Sequence, residues 1–204
     1  MSRDFFSEVY SVGSAEQKQK LYSDWADSYD SDLQINGYRT PKRCAEAAAS
    51  VATDLAAPVL DVGCGTGLSG LALRTAGFTN ISGTDVNADM LRVAEARGIY
   101  RTLWKSDPGV PFSFETGTYS VISAIGVIGR GAAPIQLLHD CLAKLDSRGL
   151  MTFSFNDHTL AEPAYEDAVK RLENSGEWEI PFRQYGPHLT ELGMNANVYV
   201  LRKV

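Results

Sequence analysis

The sequence predicts an α/β fold: a three-layer α/β/α sandwich built on a seven-stranded, mostly parallel sheet. Two patterns carry that prediction. Five short apolar runs, at 59–62, 81–84, 99–105, 119–124 and 150–155, alternate with stretches whose apolar residues recur at helical spacing, the βαβ rhythm that produces parallel sheets. Near the end the period changes to two. Trp178, Ile180 and Phe182 alternate with Glu177, Glu179 and Pro181, and Asn197, Tyr199 and Leu201 alternate with Val198 and Val200, which adds two strands. At 204 residues the chain is long enough for one such domain with a sizeable core and only marginally long for two, so 1–204 reads as a single domain.

Charge narrows the function classes. With 19 basic against 25 acidic residues the net charge is −6, and no general electrostatic footprint for DNA or RNA is visible. Cys44, Cys64 and Cys141 have no C-x-x-C spacing, and Cys44 and Cys141 fall on apolar positions of predicted helices, the pattern of reduced core thiols in a cytoplasmic protein. No metal-ligand set is expected. The start, Met-Ser-Arg-Asp-Phe-Phe-Ser-Glu, lacks the apolar run of a signal peptide, and no later segment approaches the length of a membrane span.

Taken in order, Ser14-Ala-Glu-Gln17 has the form of a capping box and should start a helix. Leu21, Trp25 and Tyr29 fall at i, i+4 and i+8 with Tyr22 and Ala26 beside them, one aromatic stripe on a polar helix whose plain reading is packing on the core. Thr40 and Pro41 suit N-cap and N1, and Cys44, Ala48, Val51 and Leu55 then form the buried face of a helix against the sheet. Residues 14–56 therefore read as an N-terminal helical segment followed by the first sheet-packing helix.

Val59 to Gly70, Val-Leu-Asp-Val-Gly-Cys-Gly-Thr-Gly-Leu-Ser-Gly, organises the rest: a buried strand, a glycine turn and a helix from Leu68 that Gly77 can terminate. Such a turn lets a ligand approach the main chain and aims helix N–H groups at it. From Gly65 the segment satisfies the dinucleotide pattern G-x-G-x-x-G, but the glycine that directly follows the strand is Gly63, and its frame fails at Leu68. An NAD-dependent oxidoreductase is thus disfavoured, and an ordinary tight strand-to-helix connection is the plainest alternative.

The second strand ends at Asp85, where a carboxylate can accept both ribose hydroxyls of a nucleoside, a role shared by several cofactor classes. Asn87 suits the N-cap of the next helix, with Met90, Val93 and Ala94 buried. The fourth strand leads into a glycine-rich crossing, Ile125 to Gly131, which carries no obvious base. Ile135, Leu138, Leu142 and Leu145 give a further amphipathic helix, with His139 on its exposed side.

Asp61 followed by Gly63, Gly65 and Gly67 resembles the first motif of the class I S-adenosylmethionine-dependent methyltransferases, an acidic residue before G-x-G-x-G. Tyr22-Ser-Asp-Trp25-Ala-Asp-Ser-Tyr29-Asp is similar to the segment preceding that motif in many small-molecule members, and Ser106-Asp107-Pro-Gly-Val-Pro-Phe112 is similar to their D-x-x-x-P-F segment. The likeness is nearest to small methyltransferases of the Williams-Beuren-region type, although Gly129-Arg130 stands where those often have a glycine-histidine pair. It implies a Rossmann-like sheet with one antiparallel terminal strand and S-adenosylmethionine as cofactor. It also implies a site of Tyr22, Trp25, Tyr29, Asp61, Gly63, Gly65, Gly67, Asp85, Val86, Ser106 and Asp107. In that arrangement the glycine loop underlies the methionyl part, Asp61 steadies the loop and the ligand ammonium, and Asp107 accepts from the adenine amine. The aromatic segment closes as a lid, which suits a sulfonium because ring faces attract cations by about 0.5–2 kcal/mol.

The expected reaction is in-line methyl transfer to a small-molecule acceptor, without nucleic acid or membrane. A non-catalytic cofactor-binding or partner-binding module is the alternative. No catalytic residue is evident. His158 and Tyr185 are weak candidates beside His188, and Trp178, Phe182, Tyr185 and the 125–131 loop are the expected pocket walls.

Overall fold

Seven strands form one sheet in the order β3-β2-β1-β4-β5-β7-β6. They are β1 Val59–Val62, β2 Ile81–Asp85, β3 Leu103–Lys105, β4 Val121–Ala124, β5 Leu150–Asn156, β6 Trp178–Leu189 and β7 Met194–Lys203. The computed structural model describes residues 5–9, 11 and 13–204. Every pairing is parallel except those of β7, which runs antiparallel to both β5 and β6. The helices are α1 Phe5–Val9, α2 Ala15–Trp25, α3 Tyr29–Ile35, α4 Thr40–Val51, α5 Leu68–Thr75, α6 Ala88–Ala96, α7 Gln136–Leu142, α8 Asp157–Leu160 and α9 Pro163–Asn174.

The central strands are buried on both sides, as parallel strands with crossover helices must be. Leu60, Ile122, Met151, Phe153, Phe155, Tyr199 and Leu201 pack with Leu138, Cys141 and Val169 on one face. Val59, Val121, Val198 and Val200 pack with Cys44, Ala48 and Leu73 on the other. Each large side chain so buried contributes about 1.5–3 kcal/mol. The second face also carries Asp61, Ser123, Thr152 and Ser154, all buried. That polar seam runs beneath the functional region.

Local signals set several boundaries. Ser14 accepts from the Gln17 N–H while the Gln17 side chain accepts from Ser14 N–H, closing the capping box of α2. Asn87 caps α6 by accepting from Asp89 and Met90 N–H. Four expectations change. α4 runs from Thr40 to Val51 with Arg39 at its N-cap, so Thr40 is not the cap and Leu55 packs from the turn beyond the helix. The stripe Leu21, Trp25, Tyr29 is not one helix: α2 ends at Trp25 and a turn at 26–28 leads into α3. The third strand starts at Leu103 rather than residue 99, because Tyr100 leaves the sheet edge to cover Gly70 and Gly83. α9, with Pro163 in its first turn and Ala168 and Val169 buried, was not anticipated. Residues 1–4 of the N-terminal run lie outside the described residues.

Candidate functional site

The strand order reverses between β1 and β4, and at such a switch point the connections leave the sheet in opposite directions and open a crevice at the carboxyl ends of the strands. The glycine loop occupies its floor. Gly63 has φ +64°, and a Cβ there would come within 2.5 Å of Val127 from the crossing after β4, so only glycine lets the two connections touch. The loop is tied down by Cys64 N–H donating to the Thr84 carbonyl at 3.0 Å and Gly67 N–H to Cys64 at 2.8 Å. A Cβ on Gly65 would meet nothing within 4 Å, so the main chain there is open to a ligand.

Asp61 does not reach that open space. It is fully buried under the loop, where Ser69 and Tyr100 hydroxyls donate to Oδ2 at 2.6 and 2.8 Å and the Ser123 hydroxyl donates to Oδ1 at 2.7 Å. Burial raises its pKa to about 6, against the three hydroxyl bonds that lower it. In this geometry the carboxylate ties β1, β4 and α5 together from below the loop. Gly70 has a separate reason to be glycine: any side chain would strike the Tyr100 hydroxyl, which crosses α5 at that point.

Asp85 stands at the carboxyl end of β2. Its Oδ2 accepts from Gly65 N–H and its Oδ1 from Asn87 N–H, both at 2.8 Å. A carboxylate accepts about four hydrogen bonds, so acceptor capacity remains. Burial raises its pKa, opposed by those backbone bonds. Val86 follows, 38 % exposed. Ser106 joins the same edge through its N–H, donated to the Asp85 carbonyl at 3.0 Å, while the Asp107 side chain is exposed at the turn after β3.

The aromatic segment closes over this edge. Trp25 is 3 % exposed, stacks on Phe5 at 5.1 Å and meets Tyr29 edge-on at 4.7 Å, and its indole N–H donates to Asp32 at 2.7 Å. Tyr29 is held far from ionisation, first by burial and then by its neighbours Tyr38, Tyr22, Asp85 and Asp30. Asp30, the last residue of the aromatic motif, was not singled out by its sequence. It accepts from the Thr66 hydroxyl in the glycine loop at 2.6 Å and pairs with Arg97, whose Nε also donates to the Thr66 carbonyl at 2.5 Å. Asn87 adds a second tie by donating to the Gln19 carbonyl and the Ser23 hydroxyl of α2, each at 3.0 Å.

Beyond Tyr29 lies a cleft of ≈ 630 Å³, open mouth included, between α2, α3, the 126–132 crossing and the ends of β5 and β6. Tyr22, Trp25, Tyr29, Tyr38, Ser154, Asn156 and His188 line it, with Arg130 at one side. Its walls are not all those expected. Trp178 is 6 % exposed inside the core, and Phe182 packs on the opposite cluster, because a register shift between Glu179 and Phe182 breaks the alternation of β6 and turns the two rings to opposite faces. Tyr185 is 56 % exposed and donates its hydroxyl to Asp157 at 2.7 Å. His158 is exposed on α8, and His139 is half-buried on α7, away from the cleft. His188 is the histidine that reaches the wall.

This set suits a nucleoside carrying a cationic centre: a carboxylate with spare acceptor capacity at β2, bare main chain at Gly65, and electron-rich rings between them and the cleft. The profile of the methyltransferase domain family matches residues 36–191. The chain is 31 % identical to human methyltransferase-like protein 27 over 168 residues, covering 80 % of this chain and 69 % of that protein. Among solved structures it resembles a protein of Pyrococcus horikoshii assigned as an RNA methyltransferase, at 16 % identity and TM-score 0.62, over 82 % of this chain and 87 % of that one. It also resembles magnesium protoporphyrin IX methyltransferase from Synechocystis, solved with bound S-adenosylmethionine, at 16 % identity and TM-score 0.56, over 98 % and 90 %. The profile and the human relative, joined to a fold and a site that agree with them, make this chain a member of the methyltransferase domain family, a class I enzyme that uses S-adenosylmethionine.

Proposed function

We propose that the protein transfers the methyl group of S-adenosylmethionine to a small, soluble acceptor held in the cleft beyond Tyr29. The observation that carries this reading is the cleft itself. α2 and α3 roof it with aromatic rings, and Ser154, Asn156 and His188 set a few polar groups in its far wall, the mixed lining of small-molecule sites. Asp85 would accept the ribose hydroxyls, Gly63, Gly65 and Gly67 would underlie the methionyl part, and Ser106 and Asp107 would flank the adenine. Tyr22, Trp25 and Tyr29 would form the lid, and the methyl group would enter the cleft past Tyr29.

The acceptor class follows from charge. Arg130 is the one permanent cation among the described lining residues, and it faces Glu162 at 4.0 Å. A polymer phosphate backbone needs clustered Lys and Arg to release counterions, and this wall offers none. Cytoplasmic residence belongs to the same reading, with Cys44, Cys64 and Cys141 free and buried. Among the described residues no helix is long and apolar enough to cross a membrane. The test is a mass-spectrometric search for a gain of one methyl group in a metabolite extract incubated with protein and cofactor, beside anisotropy titrations with RNA and DNA at low salt. A methylated metabolite is expected. Salt-sensitive micromolar polymer binding with methyl label in the polymer would overturn the reading.

A further inference from the structure

The cleft wall holds a histidine to which none of these roles falls. His188 sits on β6, 7 % exposed, next to Ser154, Asn156 and Tyr38, whose ring stands at 85° to it with centroids 5.2 Å apart. Its Nδ1 lies 2.7 Å from the hydroxyl of Thr40, a fully buried residue at the start of α4. Its main chain is fixed as well, the His188 carbonyl accepting from Arg39 N–H at 2.8 Å and Leu189 bridging to Tyr38. Among the described residues no buried side-chain nitrogen or oxygen lacks a partner. Among the described residues Nε2 has no hydrogen-bond partner, and the ring lines the cleft, so Nε2 opens onto it.

We propose that His188 is the general base of this transferase: Thr40 accepts from Nδ1–H, and Nε2 accepts the proton of an uncharged hydroxyl acceptor. The proposal rests on the small-molecule reading above and narrows it to O-methylation. The acceptor oxygen bonds to the methyl carbon, the carbon–sulfur bond breaks with its electron pair going to sulfur, and the O–H proton passes to Nε2. The products are a methyl ether and S-adenosylhomocysteine, and the imidazolium then loses its proton to solvent through the mouth of the cleft.

The ring's environment supports that choice of acceptor. Burial lowers its pKa from 6.5 to about 4, opposed by Asp157 and reinforced by Arg43 and His158, so the ring is neutral in neutral solution. A protonated ether is a far stronger acid than this imidazolium and would surrender its proton even to so weak a base. A methylated ammonium holds its proton too tightly to pass it on, and a carboxylate or thiolate brings none.

The test uses the full chain in two arms. In nitrogen-15 NMR of the imidazole, His188 should be the Nδ1–H tautomer at neutral pH and titrate well below the ordinary value of about 6.5. Thr40→Val should shift that tautomer. An Nε2–H tautomer, or titration near 6.5, overturns the assignment whatever the acceptor proves to be. In the second arm, a polar metabolite extract is incubated with methyl-labelled cofactor. His188→Ala should lose methyl-ether formation by about 10²- to 10⁴-fold, with cofactor affinity held within about twofold and part of the rate restored by added imidazole. His188→Gln, which keeps most of the volume, should show the same loss without the rescue, with melting curves establishing that both variants fold. Undiminished turnover by both variants, or a labelled amine or ester as product, overturns the proposal alone. Wild-type protein that binds cofactor and labels nothing small overturns the small-molecule reading, and the hydroxyl assignment with it.

Discussion

Removing one hydroxyl from beneath the glycine loop should destabilise the chain by an amount that depends on pH. Tyr100→Phe is the perturbation. The ring lies against the bare backbone of Gly70 and Gly83, so phenylalanine keeps the packing and deletes the hydroxyl with its 2.8 Å bond to Asp61. Loss of a bond to a buried charged group costs about 1.5–3 kcal/mol, against about 1 kcal/mol between neutral groups. Asp61, raised by burial to about 6, is ionised at pH 8 and protonated at pH 5, so the larger figure applies only to the alkaline condition. The sign agrees with linkage: the Tyr100 hydroxyl lowers the Asp61 pKa, its loss raises it further, and the penalty therefore grows with pH. At about 2–4 °C per kcal/mol for a chain of this size, the melting temperature should fall by about 3–12 °C at pH 8 and about 2–4 °C at pH 5. Calorimetry on both proteins at both pH values measures it. An equal penalty at the two pH values would refute the argument that Tyr100 supports an ionised Asp61.

S-adenosylhomocysteine at about one hundred times its dissociation constant should add roughly 2.7 kcal/mol, or about 5–11 °C in melting temperature, and an unchanged melting curve at millimolar ligand would contradict the site. Arg97→Ala should leave α3 held to Thr66 by the Asp30 carboxylate alone, costing about 1 kcal/mol and speeding amide exchange across residues 15–35, whereas protection equal to wild type would show that the lid is held elsewhere. His188, lowered to about 4, favours the fold above pH 6.5 and loses that contribution, about 3 kcal/mol, as pH falls through 4. Asp61, raised to about 6, acts in the opposite sense, its contribution present below pH 3.8 and lost as pH rises through 6. His188→Gln should therefore gain stability over wild type by about 3 kcal/mol between pH 6.5 and 4, and parallel stability profiles would show that the ring titrates alike in both states.

Features written in neighbouring residues were legible in the sequence. The Ser14 box, the Asn87 cap, the glycine turn from Gly63 and the alternation of β6 and β7 each depend on side chains a few positions apart. Features made by distant contacts were not. Thr40 reads as a helix cap, yet its hydroxyl serves His188, which lies 148 residues away. Tyr100 reads as strand, yet it departs from the sheet to reach Asp61 across 39 positions. Gly70 reads as the last glycine of a dinucleotide pattern, yet it is the clearance for that tyrosine. Asp30 reads only as the end of the aromatic motif, yet the fold brings Thr66 and Arg97 to it.

Cofactor binding depends most on Asp85, which fastens the glycine loop at Gly65 and would receive the nucleoside on its remaining lone pairs. Calorimetric titration of S-adenosylmethionine into wild type and Asp85→Ala tests this directly. One site per chain is predicted, with affinity falling in the folded variant by a factor of about ten to 150, the equivalent of about 1.5–3 kcal/mol of lost charged hydrogen bonds. Equal affinity in the two proteins, or no saturable site in wild type, would contradict it.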